Sequence, residues 1–594
     1  MLEQGDGAWA LGEQQADFTM PDTVNAVLAA RIDRLPPTEK AALQAGAVVG
    51  RVFWTSSVVH LLTGEEPDFD LLEERDLIRS NRGSMIAGDR EYAIKHALTR
   101  EVAYASIPKA RRGRLHAMLA DWLETGALGK DEHASLLAYH YFEAVKPEDV
   151  DLVWADDAAE LERLRGRAVY WLRRAGELAR GRHEMDEAVD LFTRAIELCD
   201  GALERARLWR QVGEVQALRY DGEAMRAALL EAIEGPLDDA ERADTYAFLA
   251  FQSSLRSAMW PIRLSVHHID EWAQKALELA GDGTEAKARA LLARVNAEQL
   301  GASDDVLDEA AALAEALDSL ELRSYAFGAR SHAAFHKGRF QEAATWSERR
   351  LELLPGIDDP DQLCEAYESG APVAAVIGRF GETRRLAGLH WDLSRRLSAH
   401  HRVYAVSLEL ELADALGDWS ALAAQTERVW SVVSANLATP CVRNPRDLLL
   451  CGLAHLCLGD ESRAAELERD GSRLAGEGYD AALSGPRLRI ALQRGDHRAA
   501  ASLLDLPVHR TLVWGPAVFS ARLDAFVALG RHDLIESEAP TLAQAGTSIE
   551  PFALRALGAA RGDDELLARA DERFAALDLD WHRSQTERLL AGIG

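Results

Sequence analysis

The chain has 594 residues, 48% of them apolar, and a formal net charge of −30. Such a charge excludes bulk electrostatic attraction to nucleic acid or acidic membranes, and the apolar share leaves room for several domains or one long solenoid. The five cysteines, Cys199, Cys364, Cys441, Cys451 and Cys457, form no CxxC pair and have no histidines at zinc spacing, which favours buried free thiols in a reducing compartment over a disulfide framework or a zinc site.

From the N-terminus, Met1-Leu2-Glu3-Gln4-Gly5-Asp6 is acidic and lacks an apolar core segment, so no signal peptide is read and a cytoplasmic location is expected. Residues up to about Thr19 read as loop or short strands, with Trp9-Ala10-Leu11 as a candidate strand. Pro21-Asp22-Thr23 opens a helix that places Val24, Val27, Leu28, Ile32 and Leu35 on one apolar face. Pro36-Pro37 stops it, and Thr38-Glu39-Lys40 starts a second helix with Leu43, Ala47 and Val48 inside. Gly50-Arg51-Val52-Phe53-Trp54 breaks that helix. Ser57–Leu62 and Phe69–Ile78 follow as short helices. Then the period changes: Ser84-Met85-Ile86-Ala87 and Tyr92-Ala93-Ile94 flank a Gly88-Asp89 turn and predict a hairpin. Helices followed by a hairpin is the order of a winged helix. Ala97–Ser106 and Ala110–Glu124 are helical again, Gly126–Lys130 reads as a linker, Ala134–Ala144 as one more helix, and Pro147–Asp157 as an acidic break.

The run from Pro21 to Pro36, with Ala45-Gly46-Ala47-Val48-Val49-Gly50-Arg51-Val52-Phe53 and Lys95-His96-Ala97-Leu98-Thr99-Arg100-Glu101-Val102-Ala103-Tyr104, resembles the segment after the ATPase core in bacterial signal-transduction NTPases of the STAND/AAA type. The resemblance covers about the first 125 residues. It implies a winged helix that joins an ATPase core to helical repeats, often in proteins that carry nucleotide-cyclase domains. It also implies a role for His96, because the matching histidine reaches the phosphates of bound ADP; an imidazole N–H can donate to a phosphate oxygen. The acid that commonly follows that histidine is Ala97 here. The plain alternative for His96 is a residue that caps or packs between the hairpin and the next helix.

A phosphate-binding loop needs G-x-x-x-x-G-K-[ST]. The Gly129-Lys130 pair has Glu124 where the first glycine belongs and Asp131 after the lysine. The ATPase core is therefore expected to be absent, as in a natural truncation, half of a split system or a fragment from a miscalled start. The segment Arg79–Arg114 holds nine Lys or Arg against three acids. That local excess suits either a DNA face or a contact with an acidic protein surface, the protein's own repeats included. The second is preferred, since no basic recognition helix stands out.

Beyond about Glu160 a punctuation recurs: Gly181-Arg182-His183, Gly338-Arg339-Phe340, Gly378-Arg379-Phe380, Gly417-Asp418-Trp419, Gly459-Asp460-Glu461, Gly495-Asp496-His497, Gly530-Arg531-His532 and Gly562-Asp563-Asp564. From Gly338 the steps are 40, 39, 42, 36, 35 and 32 residues. Stacked helical hairpins have this period, with glycine turning the chain between helix A and helix B. In Val169–Asp200, Gly176 and Ala179 on the first helix face Ala188, Phe192 and Ala195 on the second, small against large. Trp209, Gly213, Leu229, Ala232 and Pro236 keep the register, as do Phe327, Ala334, Ala343 and Pro355. The pattern resembles the tetratricopeptide repeat. Ser253–Ile262 and Ala438–Pro445 read as looser regions. Leu448–Leu458, the most apolar run, is too short for a membrane span, which needs about 20 residues. Adjacent pairs such as His400-His401, His267-His268 and Asp358-Asp359 point apart on a helix and read as solvated faces, not metal sites.

The expected fold is all-α with one small β-hairpin wing: a winged helix followed by a tetratricopeptide-like α-solenoid. Residues 1–35 form a remnant or hinge after a missing NTPase domain, 36–125 the winged helix, 126–159 linker helices and 160–594 the repeats. The expected function is a non-catalytic regulatory scaffold, the sensor part of a STAND-type signalling protein. It would hold a protein or peptide on the concave repeat surface and meet an ATPase or cyclase chain in trans. The alternative is a DNA-binding regulator that uses the basic winged helix. No catalytic residue, cofactor or metal ligand is assigned, His96 apart should a nucleotide domain be supplied by another chain.

Overall fold

The computed structural model describes residues 2–5, 8–11, 22–84, 86, 88–126, 131–260, 264–298, 304–439, 441–506 and 515–593. The chain forms two compact units, residues 1–208 and 209–594.

The first unit opens on an antiparallel hairpin, β1 (Leu2–Gly5) with β2 (Ala8–Leu11). The winged helix follows: α1 (Asp22–Asp33), α2 (Pro37–Val49), β3 (Val52–Trp54), α3 (Thr55–Leu61), α4 (Phe69–Glu74), β4 (Ile78–Ser80) and β5 (Glu91–Ile94). Its sheet has the order β3-β5-β4, all antiparallel, with Phe53 opposite Tyr92 and Ile78 opposite Ile94. The strand that pairs with β5 is not Ser84–Ala87. It is Ile78–Ser80, at the end of the run expected to be helical; Met85 and Ala87 lie outside the described residues. Helix α4 stops at Glu74 because Asp76 takes a left-handed φ of +62° and redirects the chain. Phe53, Phe69 and Tyr92 stack with centroids 5.3–6.3 Å apart under α2. Gly46 leaves room for the Phe53 ring: a Cβ there would lie 3.0 Å from it. Helices α5 (Ala97–Ala105), α6 (Lys109–Thr125), α7 (Ala134–Ala144), α8 (Val150–Trp154), α9 (Ala158–Gly181) and α10 (Met185–Leu198) complete the unit. Between α9 and α10, Phe192 is fully buried and its Cε1 sits 2.7 Å from where a Cβ on Gly176 would be.

The boundary between the units falls within α11 (Ala202–Leu218), and the second unit then has α12 (Gly222–Glu234), α13 (Asp239–Leu255) and α14 (Val266–Leu279), and α15 (Glu285–Glu298) and α16 (Asp304–Ala316). Next come α17 (Leu320–His336) and α18 (Phe340–Leu353), α19 (Pro360–Val376) and α20 (Phe380–Ser394), then α21 (Ala399–Leu416) with α22 (Trp419–Ala424) and α23 (Thr426–Ala435). The last are α24 (Arg443–Cys457) and α25 (Glu461–Leu474), α26 (Asp480–Gln493) and α27 (His497–Leu504), α28 (Gly515–Ala528) and α29 (His532–Leu542), α30 (Glu550–Arg561) and α31 (Asp564–Ala576), and α32 (Asp580–Ile593). No helix of the described residues is long and apolar enough to cross a membrane.

The glycine punctuation marks turns inside the hairpins. Gly338, Gly378, Gly417, Gly459, Gly495, Gly530 and Gly562 all have φ between +62° and +88°, a region where a Cβ is strained. Gly181 ends α9, and the left-handed residue of that turn is His183, φ +62°. The residue after each of the seven left-handed glycines occupies the N-cap position of the second helix. Asp418, Asp460, Asp496 and Asp563 accept from backbone N–H groups at 2.9–3.1 Å, whereas Arg339, Arg379 and Arg531 make no side-chain cap.

The second unit winds back on itself. Gln544 Nε2 donates to the Gly338 carbonyl at 2.8 Å, and the Ser548 amide donates to the Val376 carbonyl at 2.8 Å. Trp581 stands edge-on to Trp419 with centroids 5.0 Å apart. Hairpins far apart in sequence are thus in contact, and the first helices of the hairpins are enclosed. In α24 every residue from Arg443 to Ala454 is buried, and in α30 every residue from Glu550 to Gly558. Their neighbour α25 buries only Ala464, Leu467 and Gly471. Burial all round marks an interior helix, and a single buried stripe a surface one.

Candidate functional site

His96 sits immediately before α5 with an extended backbone, φ −125°. It is exposed, and its side chain makes no cap bond. The left-handed turn at Asp76 brings a carboxylate beside it. Lys95 hydrogen-bonds Asp76, and this bond, with attraction from Lys95, His96 and Arg31, holds the Asp76 carboxyl below the usual carboxylate range. Arg31 comes from α1 and donates to the Arg75 carbonyl at 2.9 Å. One surface therefore gathers Arg31, Lys95 and His96 around a single acid.

Helix α1 extends that surface. Its Ile32 is buried, but Val24 and Val27 are 41% and 60% exposed. Residues 24, 27 and 31 follow helical spacing, so the two valines and Arg31 form one stripe. The sequence pattern places both valines in the core; the folded chain covers only the C-terminal end of that face. Arg31 carries no signal of its own in the sequence, because its neighbours come from a turn 44 residues away.

Part of the basic excess of Arg79–Arg114 is absorbed within the unit, while Arg79, Arg82, Arg90 and Arg111 are exposed. Lys109 pairs with Asp149 at 2.7 Å, Arg100 donates to the Ala47 carbonyl at 3.1 Å, and Arg112 lies over the Tyr104 ring. In the winged-helix order α4 holds the place of the recognition helix, and it carries Asp70, Glu73 and Glu74.

The second unit has a polar axis built from the first helices of its hairpins and from Arg350 of α18. Arg256 at the end of α13 pairs with Asp361 of α19, which also bonds His401 of α21 at 2.7 Å. Arg350 meets Glu365 and bonds Ser369 at 2.9 Å and Ser324 at 3.1 Å. Gly328 makes this possible, since a Cβ there would lie 2.7 Å from the guanidinium. Arg443 reaches Glu368 at 2.7 Å, Arg446 reaches Glu411 at 2.6 Å, and Arg489 reaches Asp414 at 2.6 Å. Burial pushes Glu368 and Asp414 up despite these partners. The pair His400-His401 belongs to this axis. The two are 2% and 6% exposed, not solvated, because Tyr220 from the turn after α11 packs at a tilt on His400 with centroids 4.3 Å apart.

Ser398, His401 and Asp361 form a hydrogen-bonded Ser–His–Asp chain of 2.8 and 2.7 Å. It is not a hydrolytic triad. The carboxylate is already bound by Arg256, and burial draws His401 down to about 4, too weak a base at neutral pH. In the first unit His116 and His140 meet at 2.8 Å and are also neutral, His140 drawn down to about 3 by burial. Among the described residues no cluster of three or more His, Cys, Asp or Glu could hold a metal ion. A half-open pocket of about 200 Å³ lies between α18, α19 and α20, with Leu351, Val373, Ile377 and Leu386 on its floor and Glu348 and Arg379 at its rim.

No protein-family model matches the chain, and no curated protein matches it. Among solved structures it is similar to a Rap protein complexed with competence and sporulation factor: 11% identity over 76% of this chain and 98% of that one, TM-score 0.31. It is also similar to aspartyl phosphate phosphatase F from Bacillus subtilis: 12% identity over 62% and 90%, TM-score 0.33. At those scores neither likeness bears on what this chain binds.

Proposed function

We propose that the chain is a non-catalytic regulatory scaffold in which the helical array holds a protein or peptide ligand and the winged helix passes that state to a nucleotide-binding ATPase domain supplied by another chain. One observation carries this reading: Arg31, Lys95 and His96 stand together beside the uncovered Val24–Val27 stripe of α1. Apolar residues next to clustered donors suit a protein surface that presents an anionic group. In this reading His96 and Arg31 contact the phosphates of a nucleotide held by the other chain, and the valines contact that chain itself. DNA is the poorer partner for the same unit, since the acids of α4 would face the phosphate backbone.

The test is a calorimetric titration of the full chain with an ADP-loaded ATPase core of the STAND type. Binding is expected, weakened about tenfold or more by Val27→Asp and by His96→Ala, each with unchanged circular dichroism. Loss with Val27→Asp but not with His96→Ala would keep the interface and remove the phosphate contact. No binding by the wild type, or a shift of duplex DNA at low salt, would overturn the reading.

A further inference from the structure

Between α13 and α26 five arginine–carboxylate pairs tie the enclosed helices together: Arg256 with Asp361, Arg350 with Glu365, Arg443 with Glu368, Arg446 with Glu411 and Arg489 with Asp414. Asp447 is the carboxyl left over. It is 0% exposed and accepts from Ser407 Oγ at 2.5 Å through Oδ2, while its Oδ1 has no hydrogen-bond partner among the described residues. The two arginines of its own helix are committed to other acids, and Arg446 also donates to the Ala482 carbonyl at 2.6 Å.

Among the described residues the nearest cations, Arg443 and Arg446, attract it but are shared with Glu368 and Glu411. Helix α21 contributes Ser407, Tyr404 and Glu411, whose charge repels a second carboxylate. Of the other helices packed against α24, α26 carries Arg489, already bound to Asp414, and α23 is followed by Asn436, which donates to Asn444. Leu422 of α22 and Ala464 and Leu467 of α25 are apolar and buried. Cys441 and Cys451 near it stay neutral thiols, pushed up by burial to about 11 and about 12. Burial raises Asp447 to about 7, outweighing the Ser407 hydrogen bond and the attraction of Arg443 and Arg446, because a carboxylate removed from water and sharing its arginines with other acids takes up a proton more readily.

We propose that Asp447 is a proton-operated fastener between α24 and α21: as the neutral acid it sits in the seam without charge, and on ionisation it sets a buried charge beside Glu411, at a cost that the Ser407 bond offsets only in part, and loosens that seam. The folded chain keeps this proton to near neutral pH, whereas the unfolded carboxyl loses it near the ordinary aspartate value. The contribution to stability is therefore full in acid, shrinks as pH rises and is gone above about pH 7. His390, His400 and His401, drawn down by burial, act with the opposite sign in acid because they take protons only when unfolded. Unfolded histidines are still half protonated at about pH 6.5, so Asp447 is isolated by the difference between the wild type and Asp447→Asn, which share those histidines.

Hydrogen exchange on the full chain, corrected for intrinsic rates, tests this. From about pH 6.5 to about pH 8.5, peptides of α21 and α24 in the wild type are expected to speed up about fourfold relative to the same peptides of Asp447→Asn. A carboxyl carbon resonance that titrates near neutral pH and disappears in Asp447→Asn is the direct signature. Should that variant not fold, Ser407→Ala serves, since losing the hydroxyl that holds the ionised form shifts the midpoint upward. The same pH response in the wild type and in Asp447→Asn, an Asp447 midpoint below about pH 5, or no shift in Ser407→Ala would overturn the proposal.

Discussion

Phe192 and Gly176 show how a single contact sets the spacing of two helices. The ring occupies the volume that any larger residue at 176 would need, and Phe192 has no exposed surface. Gly213 and Leu229 repeat the arrangement, with Leu229 Cδ2 2.5 Å from the position of a Cβ at 213. Phe192→Ala removes a buried ring from a site that cannot collapse, so the opening free energy of α9 and α10 amides should fall by about 3–5 kcal/mol. A loss below about 1 kcal/mol in hydrogen exchange would mean that the register of this hairpin is wrong. Both pairs were legible in the sequence because small and large residues at helical spacing report the helix–helix distance directly. The burial of His400-His401 was not legible, because Tyr220, which covers His400, lies 180 residues earlier in the chain.

Turns between paired helices use one backbone conformation for two purposes. At Gly459, φ +88°, a Cβ would meet nothing within 4 Å; at Gly417, φ +69°, it would lie 2.8 Å from Trp581 Cβ. Gly459→Ala should cost only the left-handed strain, about 1–2 kcal/mol, whereas Gly417→Ala should cost more because Trp581 must also move. Equal losses in urea unfolding monitored at the array would show that Trp581 yields freely. The glycine rows were readable since φ is a local property. Strand β4 was not: Ile78–Ser80 continues an apolar run of helical period, and only its pairing with β5 across the wing makes it extended.

A one-dimensional stack is expected to lose stability only next to a deletion. This array departs from that rule because late turns rest on early ones: Gln544 on Gly338, Ser548 on Val376, Trp581 on Trp419. Removing residues from Thr547 onward should therefore raise hydrogen exchange in α19–α22, far away in sequence, as well as in α28 and α29. Protection lost only in α28 and α29 would mean that the return contacts contribute little. The enclosure also bears on function, since it leaves the Arg–carboxylate axis inside the array, while the uncovered apolar stripe, Val24 and Val27, belongs to the winged helix.

By itself the sequence determined the helical hairpins, their glycine turns, the winged helix and the near-absence of strands, because periodicity, caps and left-handed φ are settled within a few residues. The tertiary structure alone decided that Arg31, Lys95 and His96 share a surface, that β4 begins at Ile78, and that the first helices of the late hairpins are enclosed with Asp447 unpaired among them. Those outcomes depend on contacts between segments tens to hundreds of residues apart, and the curvature that creates them accumulates hairpin by hairpin, with no mark at any one position.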